Sequence, residues 1–229
     1  MEIKVHGTLK GEVTPPPSKS QAHRLLICAA LAVEPCSIVC NSVNDDIMAT
    51  MRCLNALGAR ITFSSGVFDV LPIELVKGGT LDCGESGSTL RFLMSVAAVL
   101  GADATFTGAG KLPQRPMGAL TDVLAAHGMA FERHTPDELP VTCSGTLQGG
   151  KFTLPGNISS QYLTGLLFAL PLATVDSEIE VTGGLTSASY IDMTIDALRT
   201  AGISVERRNN IFTIKGNQQY RMPERVVVE

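Results

Sequence analysis

Apolar and polar positions follow one order three times along the 229-residue chain. In the first cycle the polar junction "PSKSQAHR" runs into the apolar stretch "LLICAALA" (residues 25–32) and then a short β-type run, "SIVCN". A second helical pattern, "DDIMATMRCLNALGA", carries its apolar residues at i, i+3 and i+4 spacing, and two alternating runs, "RITFSS" and "VFDVLP", close the cycle. The second cycle opens with "GGTLDCGESGSTLRFLMSVAAVLG", passes through "DATFTG" and reaches a helix ending "LTDVLAAHGM". The third opens with "GGKFTLPGNISSQYLTGLLFALPLA" and continues through "SEIEVTGG", the helix "YIDMTIDALRTAGI" and the paired runs of "SVERRNNIFTIKG".

Gly58, Gly128 and Gly202 stand 70 and 74 positions apart, each where a helix should end on a left-handed residue. Asp45 or a neighbour can cap the second helix of the first cycle. The pattern predicts an α/β fold of three β-α-β-α-β-β repeats, at about 15–75, 76–148 and 149–217, within a domain spanning 15–222. Each repeat ends in a hairpin, so the sheets are mixed. The first helix of each repeat is apolar nearly all round, which predicts buried helices wrapped by sheet.

Composition narrows the class. Hydrophobic residues are 45% of the chain, and a formal charge of −4 gives no support to a nucleic-acid or membrane-surface partner. The apolar runs are too short to span a bilayer and the N-terminus has no signal-peptide core, so a cytoplasmic location is expected. Cys28, Cys36, Cys40, Cys53, Cys83 and Cys143 form no CxxC pair and no zinc spacing with histidine. They read as structural thiols, and no metal site is predicted.

Candidate chemistry sits at the junctions. Each first helix begins with small hydroxylated residues or glycine: Ser18 and Ser20; Ser86, Gly87, Ser88 and Thr89; Ser159 and Ser160. Such residues are good N-caps, and equally they let an anion approach free N–H groups at the positive end of the helix dipole. Both readings stay open for any one junction, but three-fold pseudo-symmetry can gather the three at one end. Lys19 and Arg24 flank the first junction and Arg91 follows the second. Arg115 lies in the Pro-rich turn "KLPQRPMGAL". Arginine pairs bidentately with phosphate or carboxylate, whereas lysine is a mobile charge and proton donor. Arg24 and Arg91 could instead serve packing, the favoured reading for Arg91. The residues point to a small, multiply anionic metabolite.

"PPSKSQAHR", "GESGSTLRF", "LPQRPMGALTDVL", "SSQYLTGLLFALP" and "SASYIDMTIDAL" occur in the order and spacing of a known family. Over essentially its whole length the chain resembles the N-terminal domain of the 5-enolpyruvylshikimate-3-phosphate synthases (3-phosphoshikimate 1-carboxyvinyltransferases). That family has two similar domains of three repeats each. The resemblance implies an enolpyruvyl-transferase-type domain and transfer of the enolpyruvyl group of phosphoenolpyruvate to the 5-hydroxyl of shikimate 3-phosphate, with release of phosphate. It implies no metal or organic cofactor. Lys19 would contact both substrates and take part in proton transfer. Ser20, Arg24, Ser159, Ser160, Gln161, Ser187 and Tyr190 would bind shikimate 3-phosphate; Gly87, Ser88, Arg115 and Gln161 would bind phosphoenolpyruvate.

The same resemblance makes residues 1–14 an opening strand and hinge toward a C-terminal domain, and 223–229 a truncated crossover. Both segments would then lack their usual neighbours. A monomer is expected, with a dimer through the orphan strand edges as the other outcome. The family's acidic acid–base pair lies in its second half, so the 229 residues alone are not expected to turn over. Glu85 and Phe92 depart from the "NAGTAMRPL"-like run of many members, while Gly87 is retained. UDP-N-acetylglucosamine enolpyruvyl transferases share the architecture but carry Lys-Asn at the first junction and a loop cysteine; here stand Lys19-Ser20 and "LPQRP". RNA terminal-phosphate cyclases use related repeats but fit an acidic chain poorly. A non-catalytic anion-binding module is the remaining alternative.

Overall fold

The computed structural model describes residues 7, 10–12, 15–156, 160–184 and 187–229. The opening-strand expectation for residues 1–14 falls largely outside the described residues. The first repeat contains α1 (Lys19–Ala30), β1 (Cys36–Val39), α2 (Asp45–Leu57), β2 (Arg60–Ser64) and β3 (Val67–Leu71). The second contains β4 (Gly79–Asp82), α3 (Gly87–Leu100), β5 (Ala104–Thr107), α4 (Gly118–Ala125), β6 (Met129–Arg133) and β7 (Val141–Gly145). The third contains β8 (Lys151–Pro155), α5 (Ser160–Ala169), β9 (Ser177–Thr182), α6 (Ala188–Thr200), β10 (Val205–Arg208) and β11 (Ile211–Ile214). A last strand, β12 (Arg225–Val227), follows.

The expected mixed sheets are present as three four-stranded sheets with equivalent orders: β4-β5-β7-β6, β8-β9-β11-β10 and β12-β1-β3-β2. In each, one parallel pair adjoins a hairpin reached through an antiparallel pairing. The hairpin links are short in the first and third repeats, whereas residues 134–140 separate β6 from β7. Gly58, Gly128 and Gly202 all have positive φ (118°, 102° and 73°), as the repeat spacing requires.

The segment 223–229 differs from expectation. Arg225–Val227 pairs in parallel with Ser37–Val39, flanked by bonds from Ser37 N to Glu224 O and from Val228 N to Val39 O. It takes the place in the first sheet that β4 and β8 hold in the others, so this segment is not an orphan edge lacking neighbours. The physical reason is that β1 without β12 would expose a row of unpaired N–H and C=O groups, which the parallel neighbour satisfies.

The inner helices are buried as their all-round apolarity predicts. Ala22–Ala30 of α1 is an unbroken buried run, and α3 and α5 bury most of their length. α5 packs on α3 through Gly165, where a Cβ would stand 2.6 Å from Arg91 O and 2.9 Å from Ser95 Oγ. Phe92 and Phe168 meet edge-on across this contact, ring centroids 5.9 Å apart. The outer helices α2 and α6 pack against α1 from either side. Among the described residues no helix is long and apolar enough to cross a membrane.

Candidate functional site

Hydrogen bonds tie the helix starts together at one end of the domain. Lys19 Nζ at the start of α1 meets Asp46 Oδ2 at the start of α2, at 2.8 Å. The Asp46 carbonyl lies 3.3 Å from Thr89 Oγ1 at the start of α3, and Ser88 Oγ accepts from Gln161 Nε2 at the start of α5 (3.0 Å). Arg24 Nη1 donates to Ser20 O and Nη2 to Tyr190 O at the start of α6. The predicted gathering of junctions thus extends to five helix N-termini.

Capping and open junctions coexist. Ser18 and Ser86 are N-caps, their Oγ atoms accepting from Gln21 N and Thr89 N at 3.3 and 3.2 Å. Asn44 caps α2 by accepting from Ile47 N at 3.0 Å. Lys19, Ser20, Gly87 and Ser88 follow these caps as the first two residues of α1 and α3. Ser160 begins α5, and Ser159 lies outside the described residues. Ser187 precedes α6 in the left-handed region (φ 59°) with no side-chain cap bond, and Tyr190 is 46% exposed.

Consecutive residues of α1 anchor two buried polar chains. His23 is 1% exposed; its Nδ1 lies 2.7 Å from Thr50 Oγ1, which lies 2.7 Å from Thr89 Oγ1, which donates to Ser86 Oγ at 2.7 Å. Burial drives the His23 pKa down to about 4, so the ring is neutral at pH 7. Arg24, 3% exposed, donates through Nε to Thr194 Oγ1 at 2.8 Å and lies over the Phe92 ring, 5.3 Å from its centroid. Burial lowers its pKa to about 10, which leaves it charged. Arg24 therefore has its guanidinium enclosed by protein oxygens, whereas Lys19 and Tyr190 remain accessible.

The second junction is arranged differently. A Cβ at Gly87 would lie 2.7 Å from Arg91 Nη1 and 3.2 Å from Arg115 Nη1, so two guanidinium groups converge on the first residue of α3. Arg91 Nη1 also donates to Gln161 Oε1 at 2.7 Å. Burial lowers the Arg91 pKa, Tyr162 opposes that shift, and the neighbouring Arg115 charge adds to it. Neither arginine forms an ion pair among the described residues. Paired cations at a helix N-terminus, with glycine leaving room, can hold a phosphate or carboxylate. Arg91 is the functional candidate that the sequence reading assigned to packing. The available signal was its place four residues after Gly87, because a helical side chain leans back one turn toward the N-terminus.

All six cysteines are buried and free. Among the described residues no group of three or more His, Cys, Asp or Glu side chains is placed to hold a metal ion.

Three sheet-covered α/β repeats with helix starts and cations gathered at one end define a repeat-built domain of the enolpyruvyl-transferase fold. The EPSP synthase (3-phosphoshikimate 1-carboxyvinyltransferase) family model matches residues 3–229, and the chain belongs to that family. It is 42% identical over 216 residues to the 3-phosphoshikimate 1-carboxyvinyltransferase of Clostridium kluyveri, covering 93% of this chain and 50% of that protein. With the same enzyme of Clostridium beijerinckii it shares 40% identity over 230 residues, 96% of this chain and 53% of the relative. The solved EPSP synthase of Acinetobacter baumannii superposes with a TM-score of 0.82 at 22% identity, over 95% of this chain and 49% of that one, which establishes the shared fold. The chain spans about half the length of the curated relatives it matches.

Proposed function

We propose that this chain supplies the shikimate 3-phosphate-binding and phosphoenolpyruvate-binding half of a 3-phosphoshikimate 1-carboxyvinyltransferase, acting in aromatic amino acid biosynthesis. The convergence of Arg91 and Arg115 on Gly87, beside Gln161, carries the reading. The two guanidiniums would clamp the phosphate and carboxylate of phosphoenolpyruvate, with Ser88 and the α3 N–H groups completing the cradle. Gln161, bonded to both Ser88 and Arg91, would bridge toward the shikimate site. There Ser20, Ser159, Ser160, Ser187 and Tyr190 would hold shikimate 3-phosphate. Arg24 would contribute by fixing Ser20 and Tyr190 through their carbonyls as well as by its charge.

In the reaction the 5-hydroxyl gives up its proton as its oxygen attacks C2 of phosphoenolpyruvate and C3 gains a proton; the tetrahedral adduct then loses phosphate from C2 and a proton from C3, which restores the enol double bond. Fixed cations stabilise the charge that develops without reorganising at the moment of reaction. Lys19 would leave Asp46 to join proton transfer once substrate anions surround it, an exchange made cheap by the exposure of that pair. The acid–base residues that the resemblance puts in the family's other half would complete the site. The 229 residues alone are therefore expected to bind without turning over, as a cytoplasmic monomer.

Calorimetric or NMR titration with shikimate 3-phosphate, phosphoenolpyruvate and UDP-N-acetylglucosamine tests this. Saturable binding of shikimate 3-phosphate, lost in Ser160→Ala with the fold intact, is expected. Preference for the UDP-sugar, or measurable enolpyruvyl transfer by these residues alone, would overturn the respective part of the proposal.

A further inference from the structure

Two guanidinium groups side by side repel, and Arg115 sits on an exposed turn, so their convergence on Gly87 needs a device that holds them. Tyr162, the third residue of α5, is 3% exposed and touches the supports of both. Its hydroxyl donates to Pro116 O at 2.7 Å, on the residue directly after Arg115. On the other side Arg115 N donates to Leu112 O at 3.1 Å, closing the short helical turn Leu112–Gln114. The Arg115 backbone is thus pinned before and after its side chain. The Tyr162 ring lies under Arg91, whose Cζ is 5.8 Å from the ring centroid, within cation–π range.

We propose that Tyr162 is a positioning residue of the anion site, its hydroxyl setting Arg115 and its ring setting Arg91. The two arginines are brought to Gly87 by one side chain of the helix that also carries Ser160 and Gln161. The anion cradle of the second repeat is therefore registered against the third. The phosphoenolpyruvate assignment rests on the function proposed above, but the positioning role does not: it concerns the geometry of the unliganded site. A residue that served packing alone would keep its value after loss of a single oxygen, because phenylalanine fills the same apolar volume.

Tyr162→Phe in the 229-residue chain separates these roles. Amide hydrogen exchange without ligand should quicken about tenfold at Arg115, with the interior amides of α3 and α5 unchanged. Phosphoenolpyruvate and inorganic phosphate should each bind about threefold to tenfold more weakly. In an Arg115→Ala background the loss of the hydroxyl should cost much less, leaving only its interaction with Arg91. Tyr162→Leu should weaken binding even in that background, because it also removes the ring beneath Arg91. Unchanged exchange at Arg115, or an equal loss of affinity in both backgrounds, would overturn the proposal. Should the wild-type chain bind neither anion, the substrate reading fails, while the exchange measurement still decides the role of Tyr162.

Discussion

At the start of α1, Lys19 is paired with Asp46 and Arg24 is enclosed by Ser20 O, Tyr190 O and Thr194 Oγ1. At the start of α3, Arg91 and Arg115 meet at Gly87 with no carboxylate on either among the described residues. Both junctions begin with a serine cap, Ser18 and Ser86, yet their cations face opposite demands. The α1 guanidinium is a structural tie between helices. The α3 guanidiniums are left with unspent charge, which suits a site awaiting an anion. The contrast teaches that pseudo-symmetry repeats the scaffold and not the use made of it.

The strongest way to break the contrast is Arg24→Met. It removes the charge-assisted bonds to Ser20 O, Tyr190 O and Thr194 Oγ1, the last two of which tie α1 to α6, and should cost about 3 kcal/mol of stability, read by chemical denaturation. A loss no larger than that of Arg91→Met would show that Arg24 is not the tie described. This also means that weakened ligand binding in an Arg24 variant must be judged against its folded fraction.

Next comes pH. His23 has a folded pKa of about 4 against an ordinary 6.5, so between these values the unfolded chain takes up a proton that the folded one refuses. Its contribution is complete above pH 6.5 and falls as the pH drops through that window, by about 3 kcal/mol at pH 4. Denaturation from pH 7 to 4 should show this slope, and His23→Gln should flatten it. Identical slopes would sink the assignment. The α3 side of the comparison is sharpened by Gly87→Ala. The added Cβ displaces the flexible ends of two arginines and no backbone, so stability should move by less than about 1 kcal/mol. Anion affinity should nevertheless fall about tenfold.

Local signals made most of this fold legible. The helix-ending glycines and the two hydrophobic periods each act within a few residues, and all three repeats carry them. Arg225–Val227 was read as an orphan because three residues of "RVVV" carry little pattern and their partner lies at Ser37–Val39. No local rule reports a parallel pairing across that separation. Similarly, Arg115 stood out from its Pro-rich turn, whereas Arg91 was hidden by the apolar helix around it. Its significance depends on Gln161 and Tyr162, which belong to another repeat. The buried chain from His23 through Thr50 to Thr89 was invisible for the same reason: each member alone looks like an ordinary helix residue.

The pairing of β12 with β1 also sets an order of assembly. β4 to β7 and β8 to β11 each complete a sheet from strands made in succession, so each sheet can close soon after its own residues leave the ribosome. The first sheet cannot, because β1 waits for residues 225–227. Of the three repeats the first is thus the last to be completed, with the edge of Cys36–Val39 open until Arg225–Val227 is made. Nascent chains that stop before Arg225 should be the form most prone to pair with one another, and β12 acts as the clasp that ends that exposure.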